Sequence, residues 1–217
     1  MPGKRPYHHG NLRETLLAAA LEVIAEAGPQ AFTLREMARR AGVSHNAPYR
    51  HFHDKNELLA AVAAQGFEKL TATMKRAAAR GLTATDRLRL CGRGYVDFAQ
   101  RWPQHFLVMF DLPVNGAEYP EYAAAGTQAF QTLLDSILQC QEAGALPPGD
   151  PSPMALASWS MVHGVAKLAI GRRLPFSAAG VLDFTNYLAD VLMHGMAQPP
   201  GIRTQLPGGE PPQSPRG

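Results

Sequence analysis

The sequence predicts an all-α protein of about nine helices. Apolar residues recur at helical spacing almost without interruption, and strand-like alternation is nearly absent. The periodic segments are separated by glycines, prolines and capping residues of the kind that stop and start helices. In the first segment Leu12, Leu16, Ala20, Val23 and Ala27 share one face, and Gly28-Pro29 ends it. Thr33 followed by Glu36 opens a short helix with Leu34, Met37, Ala38 and Ala41 on its inner side, and Gly42 stops it. Val43 fills the corner, and Ser44 is placed to cap a third helix running to about Phe52. Asp54 and Glu57 repeat the cap pattern for a long fourth helix with the stripe Leu59, Ala63, Phe67, Leu70 and Met74. Further helices are expected at about 84–101, 103–111, 119–144, 153–173 and 178–197, bounded by Pro103, Pro113-Val114-Asn115-Gly116, the stretch from Pro147 to Pro153, and Pro175. Residues 198–217 hold six prolines and four glycines with almost no large apolar side chains, so they are expected to form a disordered tail.

Composition narrows the function classes. No apolar run approaches the roughly 18 residues of a membrane span, and the N-terminal basic stretch leads into an amphipathic segment carrying Glu14, Glu22 and Glu26 rather than a signal-peptide core. A cytoplasmic protein without a membrane partner is expected. Cys91 and Cys140 show neither CxxC nor Cys/His ligand spacing, so no disulfide framework, metal or cofactor is indicated, and both thiols are expected in the core. The net charge of +3 is uneven: residues 1–80 hold 12 Lys/Arg against 7 Asp/Glu, and residues 81–217 hold 9 against 11. The N-terminal end is the one suited to a polyanion.

A short helix, a turn containing Gly42, and a second short helix, flanked by longer helices, is a helix-turn-helix arrangement. A second helix packed in a core would present apolar residues, yet His45, Asn46, Tyr49, Arg50 and His51 are nearly all hydrogen-bonding, leaving Val43, Ala47 and Phe52 to pack. Asn pairs with an adenine edge, His reaches bases or phosphates, and Tyr and Arg reach phosphate oxygens. The plain alternative is a solvated helix face. Arg39 and Arg40 before the turn, Lys55 after it, and the arm Lys4, Arg5, His8 and His9 favour DNA, although the arm reads equally well as a leader with no role. Pro48 resists an ordinary α-helix here because it lacks an N–H and clashes with the carbonyl four residues back, so this helix starts late or is tightly wound.

The run Phe32-Thr33-Leu34-Arg35-Glu36-Met37-Ala38, then Ala41-Gly42-Val43-Ser44, then Ala47-Pro48-Tyr49-Arg50-His51-Phe52 with Lys55, Leu58 and Leu59, resembles the DNA-binding region of the TetR family of repressors over about residues 11–60. Trp159-Ser160-Met161-Val162-His163-Gly164 resembles the Trp-x3-His-Gly signature of one C-terminal class in that family. The resemblance implies nine helices, a homodimer on double-stranded operator DNA, and repression relieved by a small-molecule ligand. By position it places Arg35, His45 and Asn46 at bases with Ala47 as an apolar contact, and Thr33, Ser44, Tyr49, His51 and Lys55 at phosphates. Arg50, whose position varies in role, is grouped with the phosphate contacts. The domain organisation expected is a basic arm over 1–10, a DNA-binding domain over 11–54, a connecting helix over 55–80, and a ligand-binding and dimerisation domain over 81–197.

In the C-terminal body, Trp159, His163, Ala166 and Ile170 fall on one side of their helix and Met161, Val165 and Leu168 on the other, so this helix needs cover on both sides. The last helix offers Val181, Phe184, Leu188 and Val191 as a further stripe, and the resemblance implies that these two helices form the dimer interface. Tyr95, Phe98, Trp102, Phe106, Met109, Phe110, Phe130, Trp159 and His163 are either plain core or the lining of an apolar ligand pocket with a few polar groups. A DNA-organising protein without effector is the second reading, and the large C-terminal body argues against it. An enzyme is the third: there is no GxSxG elbow, GxGxxG or Walker loop, or HExxH motif, so catalysis rests on nothing positive and no catalytic residue is assigned.

Overall fold

The structure, a computed structural model, describes residues 12–28, 33–111 and 116–197. The basic arm, Pro29, Phe32, Pro113 to Asn115, the side chain of Ala27 and the tail from 198 lie outside the described residues. Among the described residues there are eight α-helices and one 3-10 turn, with no strand: α1 (Leu12–Ala27), α2 (Leu34–Arg40), the 3-10 turn Pro48–Arg50, α3 (Lys55–Ala78), α4 (Ala84–Arg101), α5 (Pro103–Asp111), α6 (Pro120–Glu142), α7 (Ser152–Ile170) and α8 (Ala178–Ala197).

The third expected helix is not an α-helix. Without an N–H at Pro48, the carbonyl of Ser44 has no α-helical donor four residues on and instead accepts from Ala47 N–H at 2.9 Å. The chain then takes one 3-10 turn, in which Pro48 occupies the first position, Ala47 is the capping residue and no side chain caps. Ser44 therefore does not cap it by its hydroxyl. Pro48 is buried and Phe52 is 1% exposed, so the turn is pinned to the core at both ends of a polar stretch.

The remaining helices follow their local signals. Thr33 Oγ1 accepts from Glu36 N–H at 3.3 Å, Asp54 Oδ1 accepts from Glu57 N–H at 2.9 Å, and Thr83 forms a reciprocal capping box with Asp86. Prolines sit in the first turns of α6 and α7, where the missing N–H costs nothing. Helix α7 ends three residues earlier than expected, at Ile170, because the Gly171 cap and Arg172, at φ +51°, close the turn there and return Arg173 N–H to Leu168 O.

Helix α3 carries Leu58, Leu59, Val62, Ala63, Phe67, Leu70 and Met74 as a buried stripe and runs from the small N-terminal unit into the C-terminal body. Its first part packs on Leu16, Leu17, Ala20 and Val23 of α1, and its second on α4, α5 and α6, so one continuous core joins both units. Gly94 lets α3 and α4 approach closely: a Cβ there would stand 3.0 Å from Met74 Cα and 3.1 Å from Thr73 O. A hydrogen-bond chain crosses the same junction, with Gln65 Nε2 donating to Glu14 of α1 at 3.2 Å and His105 Nε2 meeting Gln65 Oε1 at 2.9 Å. Burial first, and Lys69 second, pull His105 down to about 4, so the ring is neutral and its Nε2–H donates.

A second cluster, including Leu88, Leu133, Ile137, Cys140, Leu146 and Ala155, closes the far end of the body. Cys91 and Cys140 are buried free thiols, and burial pushes Cys91 up to about 11. No helix among the described residues is long and apolar enough to cross a membrane.

Candidate nucleic-acid interface and apolar cavity

The turn after α2 is built by Gly42, whose φ of +67° lies where only glycine is unstrained, and by Val43 N–H, which donates back to Ala38 O at 2.9 Å. This directs residues 44–52 away from α2 as a separate protruding turn. Ser44, His45, Asn46, Tyr49, Arg50 and His51 are all exposed on it, while Ala47 is half-buried beneath. Thr33 and Arg35 at the start of α2 are exposed, and Lys55 opens α3 half-buried. The Thr33 oxygen is used as the cap acceptor, which leaves its O–H able to donate to an anion.

Arg39 and Arg40 are not the loose basic neighbours that the sequence suggests. Arg39 Nε and Nη2 donate to Glu36 at 2.8 and 2.6 Å. Arg40 Nη1 donates to Glu26 Oε1 at 2.8 Å and its Nη2 bonds the other oxygen, while Nε reaches Glu36 at 3.1 Å. Hydrogen bonds from Arg39 and then Arg40 hold the Glu36 carboxyl down to about 2. Arg40 thus ties α2 to the end of α1.

The second feature is a cavity of about 590 Å3 lined by residues of α3 to α8. Tyr95, Met109, Phe110, Phe130 and Trp159 line it, as do Phe67, Leu70, Met74, Tyr122, Met161, Leu192, Met193 and Met196, which the sequence reading did not single out as pocket residues. Phe98 and Trp102 lie outside its lining; they pack on each other at 5.5 Å between ring centroids, Phe98 with no exposed surface. Phe106 sits one layer behind, stacked at 5.2 Å on the ring of His163, which likewise does not line the cavity. Trp159 Nε1–H donates to Tyr95 Oη at 3.3 Å, so the Tyr95 hydroxyl has its proton available for His163 Nδ1 at 2.9 Å. Burial, then Lys167, lower the His163 pKa, favouring the neutral ring that accepts this bond, with its remaining proton on Nε2. The trio leaves one acceptor position on Tyr95, inside a mostly apolar wall.

On α8, Val181 is 4% exposed and Thr185 fully buried, so this side faces the chain's own core. Phe184 and Leu188 are half-buried, and Tyr187 (62%) and Val191 (53%) point outward. On α7 the exposed line runs through Ala157, Ser160 and Leu168, with Gly164 half-buried along it. The exposed large apolar side chains of the last two helices are thus Leu156, Leu168, Tyr187 and Val191, whereas Val181 is buried within the chain. No group of three or more potential metal ligands occurs among the described residues.

Comparison with known proteins agrees with this two-part architecture. The family described as bacterial regulatory proteins, tetR family, matches residues 16–62, and a tetracyclin repressor-like C-terminal domain matches residues 88–192. That second match does not itself establish the Trp-x3-His-Gly class. A solved protein of unknown function from Rhodococcus sp. RHA1 is 34% identical and superposes with a TM-score of 0.77, covering 90% of this chain and all of that one. The HTH-type transcriptional activator FasR of Mycolicibacterium smegmatis is 33% identical over 125 residues, 58% of this chain and 56% of that protein, so the match spans little more than half of that relative. The transcriptional regulator FadR of Bacillus subtilis, solved with stearoyl-CoA, shares the fold at 16% identity, with a TM-score of 0.71 over 84% of this chain and 98% of that one. The chain belongs to the TetR family of bacterial regulatory proteins.

Proposed function

We propose that the protein is a cytoplasmic, sequence-specific transcriptional regulator that binds a palindromic operator as a homodimer and is released by a small, mostly apolar ligand. The observation that carries this reading is the placement of α3, whose first turn holds Lys55 beside the exposed reading turn and whose residues Phe67, Leu70 and Met74 line the cavity. One rigid element touches both sites. Arg35, His45 and Asn46 are the base-reading residues, with Ala47 as an apolar contact, and Thr33, Ser44, Tyr49, Arg50, His51 and Lys55 hold phosphates. A ligand that tilts α3 in each subunit changes the separation of two turns that must enter the major groove together.

The apolar cavity supports an apolar ligand, and the related fold solved with stearoyl-CoA makes that compound the first candidate. Thermodynamic linkage supplies the test. If ligand weakens operator binding, operator weakens ligand binding by the same factor, typically about 5–150-fold. Titrating stearoyl-CoA into free and operator-saturated protein should show that difference, and Trp159→Ala or Phe130→Ala should reduce ligand affinity. Equal affinity in the two states, with tight binding in both, refutes the coupling. DNA binding that selects no motif would favour the DNA-organising reading instead.

A further inference from the structure

Resting on the reading of the cavity as a ligand site, we infer that its ligand is an elongated apolar anion whose head binds Arg89 in place of Asp190 and whose tail points toward Phe67, Phe110 and Tyr122. The cavity is long. Its lining on α6 runs from Tyr122 to Leu133, which spans about 16 Å at the helical rise. One end is an aromatic cage in which Phe67 meets Phe110 and Tyr122 at centroid distances of 5.5 and 5.8 Å. The other end is closed by Leu88, Leu133, Met193 and Met196.

Arg89 is the one charged residue in the lining, and it belongs to this second end, one position after Leu88. A single charge on a mostly apolar wall fixes the direction in which an amphiphile enters. Its present partners are unequal. Asp86, at 2.5 Å, is also held by the Thr83 N–H and hydroxyl at the start of α4, which lowers its pKa and anchors it. Asp190 of α8 is 3.5 Å away and its side chain is 55% exposed, so it is the partner that a stronger acceptor displaces. Arg89–Asp190 is an ion pair between α4 and α8, and α8 carries the outward Tyr187 and Val191. Exchange of Asp190 for the ligand head therefore loosens α8 from α4 at the face proposed for dimer contact, a second route from ligand to DNA beside the tilt of α3.

Carboxylate and phosphate heads share the chemistry that Arg89 recognises, so the test separates them. Decanoate, decyl phosphate and 1-decanol are titrated below their micelle concentrations into a Trp102→Phe background, in which Trp159, inside the cavity, is the only remaining tryptophan. At least one anion should bind about tenfold or more tighter than the alcohol, the margin expected for a charge-assisted hydrogen bond. Arg89→Gln should erase that margin, and Asp190→Asn should tighten the anion. The better of the two anions identifies the head. Decanol binding as tightly as both anions, or a margin that survives in Arg89→Gln, overturns the anion assignment while leaving an apolar ligand in place. Failure of all three probes overturns the inference, and motif-selective DNA binding by the same preparation would show that the regulator reading stands without it.

Discussion

Val191→Glu probes the assembly on which a palindrome-binding regulator depends. In the single chain Val191 is 53% exposed, Tyr187 one turn earlier is 62% exposed, and Leu168 of α7 is 46% exposed, so the last two helices leave large apolar side chains uncovered. Full burial of a valine side chain is worth about 1.5 kcal/mol or somewhat more, so the half still exposed places about 1 kcal/mol at stake in each subunit. A two-fold interface contains the residue twice, and an unpartnered carboxylate closed into it adds several kcal/mol per copy before it neutralises. The total exceeds about 5 kcal/mol, which raises the dimer dissociation constant by more than about three powers of ten. Sedimentation at micromolar concentration should give a dimer for the parent and a monomer for the variant. Circular dichroism should be unchanged, and operator binding in a gel shift should be lost. A variant that remains dimeric places the interface elsewhere, and a monomeric parent refutes the dimer outright. Val181→Glu is not equivalent: with 4% exposure inside its own subunit, it would unfold the body rather than divide the dimer.

Lys55→Ala should weaken all duplexes alike and reduce the slope of log affinity against log salt by about 2 for a dimer, since each lysine neutralises one phosphate; an unchanged slope removes Lys55 from the phosphate contacts. Gly94→Val should cost about 2 kcal/mol and lower the melting temperature by about 4–8 °C, because its side chain meets the α3 backbone at Met74 and Thr73; a melting temperature equal to the parent's would show that α3 and α4 can separate freely. His105, held near 4 against an ordinary 6.5, takes up its proton in the unfolded chain first, so stability should be full above about pH 6.5 and fall by at most about 3 kcal/mol toward pH 4. Denaturant titrations across that window should show a flatter fall in His105→Gln, and an identical profile in the variant would assign the acid loss to other groups.

Where a structural signal was local, it was legible in the sequence. The Thr33–Glu36 and Asp54–Glu57 spacings and Pro103 placed helix starts because each cap or proline acts within one turn of itself, whereas Pro175 did not mark the end of α7, which Gly171 and Arg172 close earlier. The exposed polar character of His45, Asn46, Tyr49, Arg50 and His51 was readable for the same reason, as was the difficulty at Pro48, although the resulting 3-10 turn depends on which carbonyl finds a donor. Non-local pairing was not readable. Arg40 meets Glu26 across 14 residues, and nothing in the local pattern separates that clamp from an arginine waiting for phosphate. The cavity lining depends on the same kind of pairing: Phe98 and Phe106 share helices with Tyr95 and Phe110, but Phe98 packs on Trp102, and Phe106 sits behind Tyr95 and Phe110 against His163. Val181 and Val191 belong to one periodic stripe, yet the packing of α8 on α4 buries the first and exposes the second. Arg89 had no sequence signal, since its meaning comes from being the single charge on a wall assembled from six helices.

The central claim is that the exposed turn at residues 44–51 reads DNA sequence, and selection of bound duplexes from a random pool tests it most directly. The parent protein should enrich a palindrome whose half-sites lie one helical turn apart, or a multiple of it, as two-fold symmetry requires. Asn46→Ala, tested against the same pool, should relax preference at one base position per half-site by about 1–3 kcal/mol while leaving the other positions intact. A pool that enriches no motif, or an Asn46→Ala protein that enriches the parent's motif unchanged at every position, contradicts the account.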